Sequence, residues 1–512
     1  MLPILTPQES AALDAASREQ GVTVETLMEN AGRAVALAAT GVAEGAYGMR
    51  AVVLCGTGNN GGDALVAARY LERWGMGVTA LLLARPGEIR GAAAANFRRF
   101  AVTGGRWHRF STARLQRELA RADVAVDGIF GTGFHGAVEG DAAAAIEILN
   151  ASTVPAVAVD IPSGVEGATG AVRTLAVVAD RTVTFGALKP GLVFYPGAEM
   201  AGDVEVARIG FPDGLVRSDL GLMQREDLAA LLVPRGAESH KREAGYVLVL
   251  AGSRAMTGAA ILAATSAYRA GAGLVTVAVP EGILRVVQGA ITEATFVPLP
   301  ETGEGSVSEA AWPVLRERLD GVGAAAVGPG LSTDEETSAV VRRLVAESPV
   351  PFVLDADGLN AFAGRAGGLA DRSSPMVITP HAGEFGRLTG LDPRAVIADR
   401  VGHARKAASD FRCTVLLKGS RTVVAEPEGR AWVNPTGGPY LATGGTGDVL
   451  TGAIAAFLAR RLEAPDAARL GAFAHGLAGG MAAGELGDGT TAGDVLAMLP
   501  EAIGRVRDGA PG

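Results

Sequence analysis

The chain has 512 residues, a net charge of −9, 48% apolar and 5% aromatic residues, and 71 glycines. That length exceeds one ordinary core, because domains hold about 100–200 residues, and the richness in small aliphatics and glycine favours helices on parallel strands over an aromatic-rich sandwich. No concentrated Lys/Arg stripe marks a nucleic-acid surface, and no apolar run reaches the ~20 residues of a bilayer span.

Thr6-Pro7-Gln8-Glu9 predicts a helix start: Thr6 caps, Pro7 takes the first turn and Glu9 reaches back to the cap. The first residues, "MLPILTPQESAALD", lack the basic start and long apolar core of a signal peptide. "VETLMENAGRAVALAAT" reads as a second helix, after which strands and helices alternate: "AVVLCG" (strand), "GDALVAARYLERWG" (helix), "VTALLLA" and "DVAVDGIFG" (strands), "DAAAAIEILN" (helix), "VPAVAVDIPSG", "RTVTFG" and "VEVARIG" (strands). Continuous Val/Leu/Ala runs between helices predict a mostly parallel sheet covered on both faces. The alternation breaks between residues 210 and 245, and a domain boundary is expected near residues 212–222. A second series begins at "YVLVLAGS" and runs through "LVTVAVP", "ATFVPLP", "GAAAVGPG", "PFVLDADG" and "PMVITPH". "TVLLKGSRTVVAEPEGRAWV" predicts antiparallel strands with a turn at Pro427–Gly429, and Ala-rich helices close the chain. Cys55 and Cys413, the two cysteines, lie in apolar strand-like runs, so neither a disulfide framework nor a metal cluster is expected, and a cytoplasmic setting is.

In the first half, "GTGNNGGDALVAAR" carries Gly56, Gly58 and Gly61 at dinucleotide-loop spacing. The acidic residue expected about 20 positions later, to hold a ribose, is missing. Asn59, Asn60 and Asp63 instead load the loop with oxygen ligands suited to a monovalent or hard cation; a tight turn with Asn caps is the plainer alternative. Two more strands end in polar turns, one at Asp127 with the Gly131–Ala137 loop and one at Asp160 with Ser163. Three such turns at one sheet edge make a site. Asp160 is the candidate acid/base; Lys189 is the second, with a surface or phosphate-contacting lysine as its alternative.

In the second half, "NPTGGPYLATGGTGDVLTG" places Gly444, Gly445 and Gly447 before Asp448 and a long apolar helix. Amides at such a helix start stabilise phosphoryl oxygens, and Asp448 beside them could take a proton from an attacking hydroxyl. That arrangement is ribokinase-like. Lys418 ends a strand and suits nucleotide phosphates; His381 follows a strand at the expected ligand edge; Gly330 ends another strand. Asp355 and Asp357 could approach magnesium or cap the next helix, and His475 is read as packing.

These motifs carry two resemblances. "GTGNNGGDALVAAR", "VDGIFGTGFHG", "AVDIPSGV" and "TFGALKPG" resemble the NAD(P)H-hydrate epimerase domain over roughly residues 5–212. This implies a Rossmann-like three-layer α/β fold (residues 1–215) and a hydrated nicotinamide dinucleotide as substrate rather than redox cofactor. Asn60, Asp127 and Ser163 would bind potassium; Asn59, Asn60, Gly61, Gly62 and Asp63, the loop Gly131, Thr132, Gly133, Phe134, His135, Gly136 and Ala137, and Asp160 would contact substrate. Ala64 stands where that family commonly has glycine; alanine fits a first helical turn without strain and is read as tolerated, though it narrows the space beside the phosphates. "VLAGSRAMTGAA", "VGPGL", "DADGLN", "TPHAGEFGRLTG", "LLKGSRTVV" and "NPTGGPYLATGGTGDVLTGAIAA" resemble ADP- or ATP-dependent NAD(P)H-hydrate dehydratases over roughly residues 222–508.

The second resemblance implies a ribokinase-like α/β domain (222–510), with Ala259, Gly330, His381 and Asp448 binding the hydrate. Lys418, Gly419, Ser420, Arg421, Thr422 and Gly447 would bind ADP or ATP with Mg2+. Arg242 and Gly438 depart from that family's usual Gly and Asn; the first could alter the loop that closes over the nucleotide, an effect the sequence leaves open, and the second puts little in doubt. Together the halves imply a bifunctional repair enzyme, an isomerase joined to a lyase, acting on small molecules without nucleic acid or membrane, as a homo-oligomer. The rivals are a sugar or vitamin kinase with a dinucleotide-binding regulatory domain, and a non-enzymatic scaffold. ADP against ATP, and NADH hydrate against NADPH hydrate, stay open.

Overall fold

The computed structural model describes residues 1–509 apart from 234, 235, 237 and 239; residue 510, the expected end of the second domain, lies outside the described residues. The chain forms two compact units, one from Leu2 to Ser218 and one from Asp219 onward.

In the first unit, α1 (Pro7–Glu19) opens with the capping box expected of Thr6 and Glu9: the Thr6 hydroxyl accepts from Glu9 N–H and the Glu9 carboxylate from Thr6 N–H. Next come α2 (Val24–Val42), β1 (Arg50–Cys55), α3 (Asn59–Arg73), β2 (Gly77–Leu82), α4 (Gly91–Val102), β3 (Trp107–Arg109), α5 (Thr112–Leu119), β4 (Val124–Gly128), α6 (Gly140–Asn150), β5 (Ala156–Val159), β6 (Arg181–Phe185) and β7 (Asp203–Ala207). The sheet runs β3-β2-β1-β4-β5-β6-β7 and is parallel throughout. Period-two alternation explains the double covering. Ala51, Val53 and Cys55 of β1 pack with α2–α4, whereas Val52 and Leu54 pack with α5 and α6. The strand order reverses between β1 and β4. In open parallel sheets the ligand crevice lies outside the strand carboxyl ends at such a reversal, which is where the glycine loop and Asp127 stand.

In the second unit the strands are β8 (Leu220–Leu222), β9 (Tyr246–Leu250), β10 (Leu274–Pro280), β11 (Thr295–Leu299), β12 (Ala324–Val327), β13 (Phe352–Leu354), β14 (Met376–Ile378), β15 (Thr414–Leu417), β16 (Val423–Ala425) and β17 (Ala431–Val433). Their order is β8-β17-β16-β15-β14-β13-β12-β9-β10-β11. Pairing is parallel from β11 to β15 and antiparallel through β15-β16-β17, as the hairpin signal predicts. β8 pairs with β17 just ahead of the expected start at residue 222; at three residues it is too short to stand out in the sequence. The helices that matter for the site are α7 (Thr257–Arg269), α8 (Ala382–Thr389), α9 (Thr446–Ala459), α10 (Ala464–Leu486) and α11 (Ala492–Asp508). α9 is almost wholly buried, which its Ala/Leu/Ile composition permits without a polar face. Cys55 and Cys413 are free and buried. Among the described residues no helix is long and apolar enough to cross a membrane.

The three fingerprint glycines serve different purposes. A Cβ on Gly56 would fall 1.9 Å from the Ile129 carbonyl oxygen and one on Gly61 would fall 2.2 Å from that of Gly56, whereas one on Gly58 would meet open space. Gly61→Ala should therefore destabilise the first unit by about 2 kcal/mol or more, and Gly58→Ala by under about 1 kcal/mol. Thermal unfolding of the two variants checks this; equal melting points would refute it.

Candidate functional sites

Site one is built on β1, β4 and β5. Asn60 and Asp63, one turn apart at the start of α3, are both buried, while Asn59 is exposed. The Asn60 amide donates to the Phe130 carbonyl at 2.7 Å. Asp127, at the end of β4, is fully buried: Oδ1 accepts from the Ser163 hydroxyl at 2.6 Å and Oδ2 from Ser163 N–H at 2.8 Å. The Phe130 N–H in turn donates to the Ser163 hydroxyl. Asn60, Asp127 and Ser163 are thus brought together, joined by the Phe130 carbonyl. Burial pushes the Asp127 carboxyl up to about 6, against the hydrogen bonds from Ser163 and Ile129, and among the described residues no basic side chain pairs with it. A buried carboxylate amid neutral oxygens, with no cationic partner, fits a monovalent cation. Among the described residues no cluster of His, Cys, Asp and Glu has the make-up of a transition-metal site.

Asp160 lies just past β5 with φ 64°, a left-handed conformation that a non-glycine residue adopts only where its surroundings impose it. Lys189 is no surface lysine: its ammonium is buried and donates to Asp160 Oδ1 at 2.6 Å, Thr184 Oγ1 at 2.9 Å and the Phe185 carbonyl at 3.0 Å. Thr184 Oγ1 also donates to Asp160. Burial, then the charges of Asp160 and Asp14, hold the Asp63 carboxyl well above the usual carboxylate range. Asp14, from α1, is likewise raised by burial and by Asp160. The sequence reading missed Asp14 and Thr184. Thr184 had a weak signal, a hydroxyl at the end of "TVTF"; Asp14 had none, because it sits on an ordinary amphipathic helix.

The Gly131–Ala137 loop follows β4, with the Phe130 and Phe134 rings stacked at 4.7 Å. Ala64 corrects an expectation. It is fully buried, its methyl 2.4 Å from where a Cβ on Gly128 would be, so it faces the sheet and does not narrow a phosphate space.

Site two lies at the carboxyl ends of β9, β12, β13, β14 and β15. Gly252 N–H donates to the Pro329 carbonyl, drawing two strand-end loops together. A Cβ on Gly330 (φ 63°) would come 2.9 Å from the Ala259 methyl on α7, so these two residues adjoin. His381 is the N-cap of α8: Nδ1 accepts from the N–H groups of Gly383 and Glu384, and the Glu384 carboxylate accepts from His381 N–H. With Nδ1 so used, Nε2 is left as the donor; it lies 3.5 Å from Glu384 Oε1 on a side chain that is half exposed. Lys418 N–H donates to the Pro380 carbonyl, tying the ends of β14 and β15 together. The Lys418 ammonium donates to Asp355 at 2.7 Å and lies 3.7 Å from Glu384. Burial alone would lower that ammonium, but Asp355, Glu384 and Asp448 outweigh it and hold it above its ordinary value.

α9 starts behind Gly445 (φ 89°), a left-handed N-cap without a side chain, and Asp448 stands in its first turn rather than at the cap. The helix provides no acceptor for the first-turn N–H groups of Gly447 and Asp448. A Cβ on Gly447 would lie 3.4 Å from the Lys418 ammonium, so the bare backbone and the cation border one space. Burial, then the charges of Asp355 and Asp357, raises the Asp448 carboxyl to about 7, against the pull of Lys418.

Both carboxylates of "DADG" already have partners within the protein. Asp355 is held by Lys418 and Thr451, and Asp357 accepts from Ser332 N–H and the Asn360 amide. Among the described residues no group of three or more His, Cys, Asp or Glu forms a metal cage, so a magnesium ion would be carried mainly by nucleotide phosphates. Gly419 (φ 146°) and Arg421 (φ 58°) turn the chain after Lys418, and the Arg421 guanidinium donates to the Pro435 carbonyl. Arg242 does not join this edge. It precedes β9, at the opposite end of the strand, and its guanidinium lies over the Tyr246 ring. His475 is buried on α10 and burial lowers it to about 4, so it is neutral, as a packing histidine should be.

The folds and their two strand-end acid sites define a two-unit α/β protein of small-molecule chemistry. A family model described as NAD(P)H-hydrate dehydratase matches residues 247–501, and one described as YjeF-related protein N-terminus matches residues 24–191. The bifunctional NAD(P)H-hydrate repair enzyme Nnr of Moorella thermoacetica is 43% identical over 507 residues, 97% of this chain and 96% of that protein. The protein of the same name from Thermofilum pendens is 40% identical, covering 96% and 94%. A ribokinase-like superfamily protein of Enterococcus faecalis, 23% identical, superposes with a TM-score of 0.50 over 58% of this chain and 99% of that one, a likeness of fold alone. The chain belongs to the bifunctional NAD(P)H-hydrate repair enzyme family.

The Asp160–Lys189 pair is buried, so removing one partner strands the other charge. Lys189→Met should destabilise the first unit by about 3 kcal/mol, and the further change Asp160→Asn should restore most of that loss. Chemical denaturation of the single and double variants measures it; additive losses would contradict the pairing.

Proposed function

We propose that the first unit interconverts the two epimers of hydrated NADH or NADPH, and that the second dehydrates the S epimer back to NADH or NADPH at the expense of ADP or ATP. In the hydrate, water has added across a ring double bond beside the ring nitrogen. Loss of that hydroxyl, assisted by the nitrogen lone pair, leaves an iminium, and water returning to its other face inverts the centre. Such chemistry needs one group to give a proton to the leaving hydroxide and another to take one from water. Asp63, whose carboxyl is raised by burial and by the charges of Asp160 and Asp14, is our donor, and Asp160, fixed by Lys189 and Thr184, our acceptor. Asn60, Asp127 and Ser163 would hold a potassium ion, which would supply positive charge near the bound dinucleotide.

The observation that carries the second reaction is the meeting of Gly447, Lys418 and Asp448 at the start of α9. Asp448 takes the proton of the ring hydroxyl as its oxygen attacks the terminal phosphoryl group. The amides and Lys418 stabilise the oxygens in transfer. Phosphate, a far better leaving group than hydroxide, then departs with the push of the nitrogen lone pair, and loss of a proton to water from the adjacent ring carbon of the resulting iminium restores the ring double bond. Ala259, Gly330 and His381 line the hydrate side, and Lys418–Thr422 with Gly447 the nucleotide side. A dehydratase confined to one epimer strands the other, and an epimerase in the same chain removes that dead end.

Return of reduced-nicotinamide absorbance from mixed epimers tests both halves. Asp448→Asn should cut recovery by about 10²-fold or more while epimers still interconvert; Asp160→Asn should block interconversion and leave dehydration of the S form. A kinase of a stable alcohol would instead accumulate a phosphorylated product. Because Asp448 works only when deprotonated, and its carboxyl titrates near 7, dehydration should fall as pH drops below about 7 and level off above it. Potassium should stimulate epimerisation of the wild-type protein, and Asp127→Asn should abolish that stimulation; equal stimulation of both would refute the assigned ligands.

A further inference from the structure

We propose that Asp355 is a positioning residue of the phosphoryl-transfer site: it holds the Lys418 ammonium at the amide edge of α9 and locks α9 itself onto the sheet. The inference rests on the reading of Asp448 as the base. Both oxygens of Asp355 are committed, Oδ1 to the Lys418 ammonium at 2.7 Å and Oδ2 to the Thr451 hydroxyl at 2.8 Å, and the residue is only 1% exposed. Thr451 follows Asp448 by three positions, one helical turn, so the two share a face of α9. A Cβ on Gly447 would stand 3.6 Å from Asp355 Oδ2, so the carboxylate reaches the first turn of the helix as well. One buried side chain thus sets the separation of the phosphate-binding cation, the amide edge and the base.

The backbone supports this assignment. Ala356, directly after Asp355, has φ 49° and ψ −119°, which an alanine holds only where its surroundings demand it. The same charge also acts on Asp448. Asp355 and Asp357 face it from the β13 end and disfavour its anion; Lys418, from the β15 end, favours it. Around Lys418 stand Glu384 of α8, its cap His381, and His475 of α10; burial lowers both histidines, His475 to about 4. Asp355 therefore anchors the cation and keeps the neighbouring base from becoming too weak to take a proton.

The full-length protein tests this through Asp355→Asn, which removes charge at constant shape, and Thr451→Val, which removes only the tie to α9. For S-hydrate dehydration with ADP or ATP, Thr451→Val should lower kcat about tenfold and leave the acid limb of the pH profile in place. Asp355→Asn should lower kcat by about 10²-fold, raise the nucleotide KM, and move that limb to lower pH by about one unit, because a negative neighbour of Asp448 is gone. Thermal unfolding of the second unit reports whether each variant is folded, and epimer interconversion, assigned to the first unit, serves as the internal control. A folded Asp355→Asn protein whose limb stays put overturns the proposal, as does a Thr451→Val protein with wild-type kcat, and the latter decides alone if Asp355→Asn does not fold. If the limb persists in the residual activity of Asp448→Asn, the base assignment itself falls.

Discussion

An ammonium clamped by a carboxylate stands at the end of a parallel strand in each unit. Lys189 with Asp160 and Lys418 with Asp355 are ion pairs drawn from a chain with only four lysines. Neither pair is an exposed surface bridge of marginal worth. Each is shielded, each has further hydrogen-bond partners, and each would leave a costly lone charge if broken. Such pairs favour specificity of arrangement over stability. They fix where a charge sits before any substrate arrives, and preorganised charge needs no reorganisation during reaction.

The parallel sheets make this arrangement possible. Strands buried on both faces offer no side chain to solvent along their length, so polar groups gather where the strands stop. The strand order of the first unit opens a crevice between β1 and β4, and the glycine loop, Asp127 and Ser163 lie around it. In the second unit the ends of five neighbouring parallel strands supply Gly252, Gly330, Asp355, His381 and Lys418 in turn, and a buried helix brings Asp448 to them. The glycines that seem alike in sequence divide by purpose. Gly56 and Gly61 permit backbone contact, Gly445 permits a left-handed cap, and Gly58 leaves open space.

The two units deploy their acids differently. In the first, the buried Asp63 and Lys189 stand with the part-buried Asp160 and the more exposed Asp14, and the burden of desolvation falls most on Asp63. In the second, Lys418 balances part of the negative charge, and Asp448 is left poised near neutrality. Aspartates of one chemical type are thereby set apart by their environments alone.

Much of this was legible in the amino-acid sequence. Continuous apolar runs between helices determine a doubly covered parallel sheet, Thr6-Pro7-Gln8-Glu9 determines a capped helix, and a glycine cluster before an apolar helix determines an amide edge with Asp448 beside it. These features are local, fixed by periodicity, capping and backbone sterics within a few residues. Tertiary structure alone decided which charges meet. Asp355 and Lys418 are 63 positions apart, Asp355 and Thr451 are 96 apart, and Asp14 meets Asp63 and Asp160 from a separate helix. It also turned Ala64 toward the sheet and placed Arg242 at the far end of its strand. Spacing along the chain carries no information about such encounters, because strand order and helix packing, rather than sequence distance, bring the groups within reach.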